Sequence, residues 1–243
     1  MGFDGQTIVV TGGTRGIGRA ICERLSDQGA RLIAFARGPA EGAFPGQVIS
    51  VDMANRAALE DALAPLASRG DIAGLVNNAG IPGPELAGDI TDATYDQVMQ
   101  VNLFAAVQCV RALAAPMAAR GYGRIVNVAT ELVLGYPTRT AYGASKAGLI
   151  SATRTWALEY GPQGVTCNAV APGPVETEFF RANNPEGSAQ RAAKRAKVPV
   201  GRFGRPDEVA RVVTFLLAPD SGYLTGQTWF VDGGSSIGAG ALF

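Results

Sequence analysis

The sequence predicts an α/β fold: one domain over residues 1–243, built on a doubly wound parallel sheet with helices on both faces. Short β-rich apolar runs alternate with segments whose apolar residues recur at helical spacing, which implies crossover connections and parallel pairing. The runs are nearly all apolar, as strands covered on both faces should be. No internal repeat, low-complexity tract or linker divides the chain, and its 243 residues at 47% hydrophobic content suit one large core.

The elements follow in order. "QTIVVT" from Gln6 is the first strand, and Ile17, Ile21 and Leu25 mark the apolar stripe of the helix after it. "RLIAFA" from Arg31 and "QVISVD" from Gln47 are the second and third strands, and "AGLVNNAG" from Ala73 is the fourth. Val98, Val101 and Ala105 define the next helix, "GRIVNVAT" from Gly123 the fifth strand, and Leu149, Thr153 and Trp156 a further helix. "GVTCNAV" from Gly164 and "QTWFVDGG" from Gln227 complete seven strands. An irregular segment at about 178–205 interrupts the alternation, and long segments of this kind are often substrate lids. Its cations Arg191, Lys194, Arg195 and Lys197 either attract an acidic substrate or form a solvated helix face.

Composition excludes several function classes. Lys+Arg and Asp+Glu both count 21, so no net field favours a nucleic acid or an anionic membrane, and the partner is expected to be a small molecule. The chain has no histidine, which argues against Ser-His-Asp hydrolysis and most zinc chemistry, and no metal site is expected. Cys22, Cys109 and Cys167 are widely spaced in apolar segments, which fits buried free thiols in a reducing compartment. With no leader-like N-terminus and no apolar run of about 18 residues, the expected location is cytoplasmic.

"TGGTRGIGRA" follows the first strand directly. Gly12, Gly16 and Gly18 permit a tight turn and close approach of a ligand to the backbone, and the helix N-terminus behind them offers free N–H groups to a pyrophosphate. Thr14, Arg15 and Ile17, interleaved with these glycines, join them as candidate cofactor-binding residues. The other reading is an ordinary glycine-rich strand-to-helix turn. After the second strand, where a site for NAD(H) usually places an acid on the ribose, the chain has Ala36 and Arg37. A guanidinium there pairs with a 2′-phosphate, and Arg15 approaches the same group, so NADP(H) is expected over NAD(H). Alternatively, both arginines simply face solvent.

Tyr142 and Lys146 lie four apart and share a helix face. A free tyrosine titrates near 10, and a neighbouring ammonium lowers that value by favouring the phenolate, which makes the pair a candidate proton-transfer group. On its own such a pair is usually helix surface.

Taken together, "TGGTRGIG", Asp52 after the third strand, "NNAG" at 77–80, Asn102, "YGASK", "APGPVET" and "LTGQTWFVDGG" resemble the short-chain dehydrogenase/reductase family in order and over essentially the whole chain. The resemblance implies a Rossmann-like sheet, a homotetramer or homodimer, and hydride exchange between a nicotinamide and a carbonyl or alcohol. It assigns Tyr142 as general acid and base, Lys146 to the nicotinamide ribose and the tyrosine pKa, and Asn102 to a proton-relaying water. Asn78, Ala79 and Gly80 would border the cofactor, Asp52 and Met53 contact the adenine, and Pro172, Gly173, Val175 and Thr177 hold the carboxamide end.

Thr130 departs from the family pattern, which has a serine at this position to hydrogen-bond the substrate carbonyl. Threonine keeps the hydroxyl, adds a methyl and narrows the χ1 choices, so the expected outcome is a retained donor in a tighter pocket. The alternative is that Thr130 only packs. Glu131 is expected to border the substrate pocket, where it would bind a hydroxyl or disfavour anions.

The resulting expectation is an NADP(H)-dependent oxidoreductase acting on a free small-molecule ketone, aldehyde or alcohol. One alternative is a 3-oxoacyl-(acyl carrier protein or CoA) reductase. The positions that would carry basic residues for an acidic carrier read Gly121 and Gln163, with Arg120 and Arg124 nearby. The other alternative is a non-catalytic NADP(H)-binding regulatory protein.

Overall fold

The computed structural model describes residues 2–238. Seven parallel strands, β1 (Thr7–Thr11), β2 (Arg31–Ala36), β3 (Gln47–Ser50), β4 (Ile72–Asn77), β5 (Gly123–Val128), β6 (Val165–Pro172) and β7 (Thr228–Val231), form one sheet in the order β3-β2-β1-β4-β5-β6-β7. The helices are α1 (Gly16–Ser26), α2 (Arg56–Arg69), α3 (Asp92–Met99), α4 (Ala105–Ala119), α5 (Thr140–Tyr160), α6 (Glu178–Asn183), α7 (Ala189–Ala196) and α8 (Pro206–Leu217). The chain winds outward from β1 to β3 and then returns to β4. The carboxyl ends of β1 and β4 therefore flank the point where the winding reverses, the place where open α/β sheets bind ligands.

Alternation along the strands builds two apolar layers. Ile8 and Val10 face Ile21, Cys22 and Leu25 of α1 and Val209, Val213 and Leu216 of α8. Val9, between them in sequence, faces the opposite layer with Leu59 and Leu63 of α2 and Cys109, Leu113 and Met117 of α4. All three cysteines are free and buried. Burial pushes the Cys22 and Cys109 thiols up to about 12, so they stay protonated.

The expectation that the strands are buried throughout holds for β1, β4, β5 and β6. The edge strands β3 and β7 have only one sheet neighbour each and leave residues partly exposed. The helical run Asp92–Ala119 is long and apolar enough to cross a bilayer by length and composition alone. Its apolar residues Val98, Ala105, Cys109, Leu113 and Met117 are spent on the buried core, which accounts for the composition.

Two features were not visible in the periodicity. Gln100–Phe104, between α3 and α4, is a π-helical turn, so Val98, Val101 and Ala105 belong to a run with one widened turn rather than to a uniform helix. The segment at 178–205, read as irregular, contains α6 and α7, each started by a side-chain cap. Thr177 accepts from Phe180 N and Ser188 from Arg191 N.

Candidate active site

The glycine turn between β1 and α1 depends on two positive φ angles and one close backbone approach. Gly12 and Gly16 have φ of 66° and 55°, values that side chains rarely adopt. A Cβ on Gly18 would lie 2.1 Å from Gly12 O, so α1 packs against the turn at a distance only glycine permits. No side chain caps α1 and its first turn holds no acid, which leaves its N-terminal dipole unopposed. Thr14 and Ile17 are partly exposed in the same turn, and Gly16 faces Thr177 at the start of α6. The turn is braced from β4: Thr11 Oγ1 accepts from the N–H groups of Asn78 and Ala79, each at 3.0 Å, while Asn78 Nδ2 donates to Thr11 O and Gly12 O. Asn78 therefore holds the cradle in place, a role the sequence reading had not given it.

Arg15 in the turn and Arg37 after β2 are both exposed, and neither forms an ion pair among the described residues. They stand beyond the carboxyl ends of two adjacent strands. Asp52 follows β3, exposed, with Oδ1 accepting from Ala54 N at 3.0 Å, while Met53 is buried. On the far side of the crevice, Pro172 ends β6, and Gly173 lies so close to β7 that a Cβ would come within 2.7 Å of Asp232 Cα. Val175 is buried and bridges to Gly204, which ties this strand end to the far end of the lid segment. The uncapped helix, the glycine cradle and the two free guanidinium groups fit a phosphorylated dinucleotide.

Asn102, Thr130 and Lys146 are all buried, and Tyr142 is partly buried. The π-helical turn sets Asn102 against the loop after β4, where its Oδ1 accepts from Ile81 N at 2.8 Å and its Nδ2 donates to Ile81 O and to Ser145 Oγ. Ser145 Oγ in turn donates to Tyr142 O at 2.8 Å. Ser145 and Ile81 escaped the sequence reading. Ser145 carried a signal, a hydroxyl three positions after Tyr142 on the same helix, whereas Ile81 contributes only backbone atoms. Gly80 borders this group: a Cβ there would lie 3.3 Å from Asn102 Oδ1 and 3.4 Å from Lys146 Nζ.

Lys146 Nζ donates to Val128 O at the end of β5, at 2.7 Å, and burial brings its pKa down to about 8. The Tyr142 phenol differs from the expectation of a lowered value. Burial pushes it up, and the Thr130 hydroxyl and the Arg139 charge pull only partly the other way. The physical reason is that the Lys146 ammonium is turned to a carbonyl at the strand end while the phenol loses water around it. Thr130 follows the end of β5 in extended conformation, and its Oγ1 accepts from Leu132 N at 3.3 Å. A hydroxyl that accepts one bond still has its own O–H to donate.

Glu131, next in the chain, is partly buried and accepts from Ser235 Oγ. Burial raises its pKa against that bond. The lid is held together by the Arg191–Glu176 ion pair and by the edge-to-face rings of Phe180 and Phe203, 4.8 Å apart. Among the four lid cations, Arg191 and Lys194 are engaged within this unit, while Arg195 and Lys197 are exposed.

A family described as enoyl-(acyl carrier protein) reductase matches residues 12–236. The 3-oxoacyl-[acyl-carrier-protein] reductase of Vibrio cholerae is 36% identical over 96% of this chain and 98% of its own length, and that of Escherichia coli is 35% identical over the same shares. Among solved structures, a putative NAD(P) dependent gluconate 5-dehydrogenase from Beutenbergia cavernae, with bound NADP at low occupancy, superposes with a TM-score of 0.91. It is 34% identical, over 97% of this chain and 98% of that one. A protein described as a short chain dehydrogenase/reductase family protein superposes at 0.89, with 34% identity over 98% of this chain and all of the other. Fold and sequence agree over nearly the full length, and the chain belongs to the short-chain dehydrogenase/reductase family of oxidoreductases.

Proposed function

We propose that the protein is an NADP(H)-dependent oxidoreductase that interconverts a small-molecule ketone or aldehyde and the corresponding alcohol. The observation that carries this reading is the grouping of Thr130, Tyr142 and Lys146 at the carboxyl edge of β5, beside the glycine cradle. NADP(H) is supported by Arg15 and Arg37, both free of ion pairs among the described residues, and by the NADP bound to the gluconate 5-dehydrogenase relative.

The cofactor supplies the hydride. The chain's own residues orient the substrate and move the proton. Thr130 donates its O–H to the carbonyl oxygen while Leu132 N holds its position. Tyr142 gives its phenolic proton to the same oxygen in reduction and takes it back in oxidation. Its raised pKa keeps the phenol protonated at neutral pH, which suits the reducing direction. Lys146, fixed by Val128 O, carries the charge that stabilises a phenolate and binds the nicotinamide ribose. Asn102 has spent both amide protons on Ile81 and Ser145, so it offers a water only an Oδ1 lone pair and acts chiefly as a positioning residue.

Reduction of a 3-oxoacyl thioester is the second reading, favoured by the names of the two curated relatives. The surroundings of Gly121 and Gln163 weigh against docking of an acidic carrier there. Arg120 donates to the carbonyls of Gly70 and Ile72, and Arg124 is buried among the carbonyls of Ala218, Pro219 and Gly123 beside the Tyr122 ring. Neither presents a free guanidinium. The deciding experiment follows NADPH oxidation with a panel of ketones, aldehydes and acetoacetyl-CoA. Turnover of free carbonyls above the thioester supports the proposal, and the reverse order supports the second reading. Tight NADPH binding without turnover of any compound would instead make the protein a cofactor-binding regulator.

A homotetramer and a cytoplasmic location belong to the same reading. Exposed Leu158, Trp229 and Phe230, with Phe215 packed edge-on against Trp229, give apolar surface for self-association. The buried thiols suit a reducing compartment. Sedimentation velocity tests the assembly.

A further inference from the structure

The loop that leads from β2 to β3 is held to the rest of the protein by one side chain. Residues 38–45 include Gly38, Pro39, Gly42 and Pro45, and most of them are exposed. Among the described residues, and apart from the adjacent Gly46 N, the only groups that hydrogen-bond this loop from outside belong to Arg19 on α1. Its guanidinium donates to Ala43 O at 2.5 Å and more weakly to Glu41 O at 3.5 Å. The same guanidinium lies 5.4 Å from the centre of the Phe44 ring, and Phe44 packs on the apolar layer that contains Ile21 and Leu32.

Arg19 is itself poorly suited to bind a phosphate. Its Nε pairs with Glu23 one turn later at 2.6 Å, and its remaining donors are directed at the loop. Arg15, four positions earlier, is exposed and unpaired at the start of the same helix, and Arg37 is the residue from which the loop departs. On the β3 side the backbone at Arg37 is already fixed: Ser50 Oγ donates to Arg37 O at 3.4 Å, and Val51 N donates to Ala36 O at 2.8 Å. On the α1 side the chain after Arg37 depends on Arg19. Glu41 carries the only carboxylate of the loop; it is exposed, forms no ion pair among the described residues, and enters the clamp through its carbonyl alone.

We propose that Arg19 is a positioning residue for the 2′-phosphate of the cofactor: by clamping residues 38–45 to α1 it fixes the Arg37 side of the anion site, and so sets the preference for NADP(H) over NAD(H). This rests on the NADP(H) reading above. A glycine-rich loop without its clamp spreads over many arrangements, so fewer molecules have Arg15 and Arg37 placed together. The apparent affinity for the phosphorylated cofactor falls by that same fraction. NADH lacks the 2′-phosphate and does not draw on the clamp.

The test titrates the protein with NADPH and with NADH and follows nicotinamide fluorescence, so no turnover is needed. Wild type is expected to bind NADPH about tenfold or more tightly than NADH. Arg19→Met, which keeps an apolar stem, should weaken NADPH binding about fivefold or more and change NADH binding less than about twofold. Arg19→Lys should restore part of the loss, because an ammonium reaches one carbonyl but lacks the fork for two. Phe44→Ala should also weaken NADPH binding selectively. The double variant Arg19→Met/Phe44→Ala should lose less than the product of the two single losses, because both act through one loop. Equal weakening of NADPH and NADH by Arg19→Met would show a general effect on the fold and overturn the inference, as would an unchanged NADPH affinity. Recovery of NADPH binding when Glu41→Gln is added to Arg19→Met would assign the effect to charge instead of loop position, and overturns it too. In each of these cases the wild-type preference still stands and with it the NADP(H) reading. A wild type that binds NADH as tightly as NADPH overturns both.

Discussion

Replacing Lys146 with methionine should make the protein more stable while removing its activity. Lys146 is 2% exposed, and burial lowers its pKa from 10.5 to about 8. That drop, at about 1.4 kcal/mol per pH unit, is a penalty of about 3 kcal/mol for holding the ammonium charged inside the fold. Methionine has a similar length and no charge to desolvate. It loses the bond to Val128 O, worth about 1 kcal/mol, so a net gain of about 2 kcal/mol remains. For a chain of this size the gain corresponds to a rise in Tm of roughly 4–8 °C. The pH dependence has a definite sign. The folded state binds the lysine proton less tightly than the unfolded chain, so wild-type stability should rise with pH between about 8 and 10.5, with the full penalty present below about 8. Other groups titrate in both proteins and cancel in the difference. Urea unfolding at pH 7 and pH 10 should therefore show the variant ahead at pH 7 and the gap narrowing at pH 10, with NADPH oxidation lost throughout. A variant less stable at pH 7, or a gap that widens at pH 10, would refute the reasoning by showing that the ammonium is net stabilising where it stands.

Three further outcomes are expected. Thr130→Ser should keep most of the activity and Thr130→Ala should lose about tenfold or more in kcat, because only the first keeps a donor for the carbonyl oxygen. Equal turnover by the alanine variant and wild type in stopped-flow traces would remove Thr130 from the mechanism. Arg37→Asp should reduce the preference for NADPH over NADH by about tenfold or more in steady-state kinetics, and a wild-type preference for NADH would overturn the cofactor assignment. Gly18→Ala would drive a Cβ to 2.1 Å from Gly12 O. It should weaken NADPH binding by about tenfold and cost roughly 1–3 kcal/mol in stability, measured by fluorescence titration and urea unfolding. Unchanged cofactor affinity would show that the turn can shift without harm.

The sequence alone determined the layer architecture, because its information is local and repetitive. Period-2 and period-3.6 patterns set which face of each element is apolar, and the alternation of the two leaves only parallel pairing by crossover. The glycine cradle and the Tyr142–Lys146 pair were legible for the same reason, since each sits within a few residues and its chemistry depends on fixed local spacing. What the sequence could not convey were relations between residues far apart along the chain. That Asn78 braces the cradle through Thr11, that a π-helical turn brings Asn102 to Ile81 and Ser145, and that Lys146 points to Val128 O all depend on which strand ends lie side by side. Arg120 and Arg124 looked available for an acidic carrier until backbone carbonyls from remote segments were found on their guanidinium groups. Burial and electrostatic neighbourhood, which set the pKa values of Tyr142 and Lys146, are properties of the packed chain, and only the tertiary structure decides them.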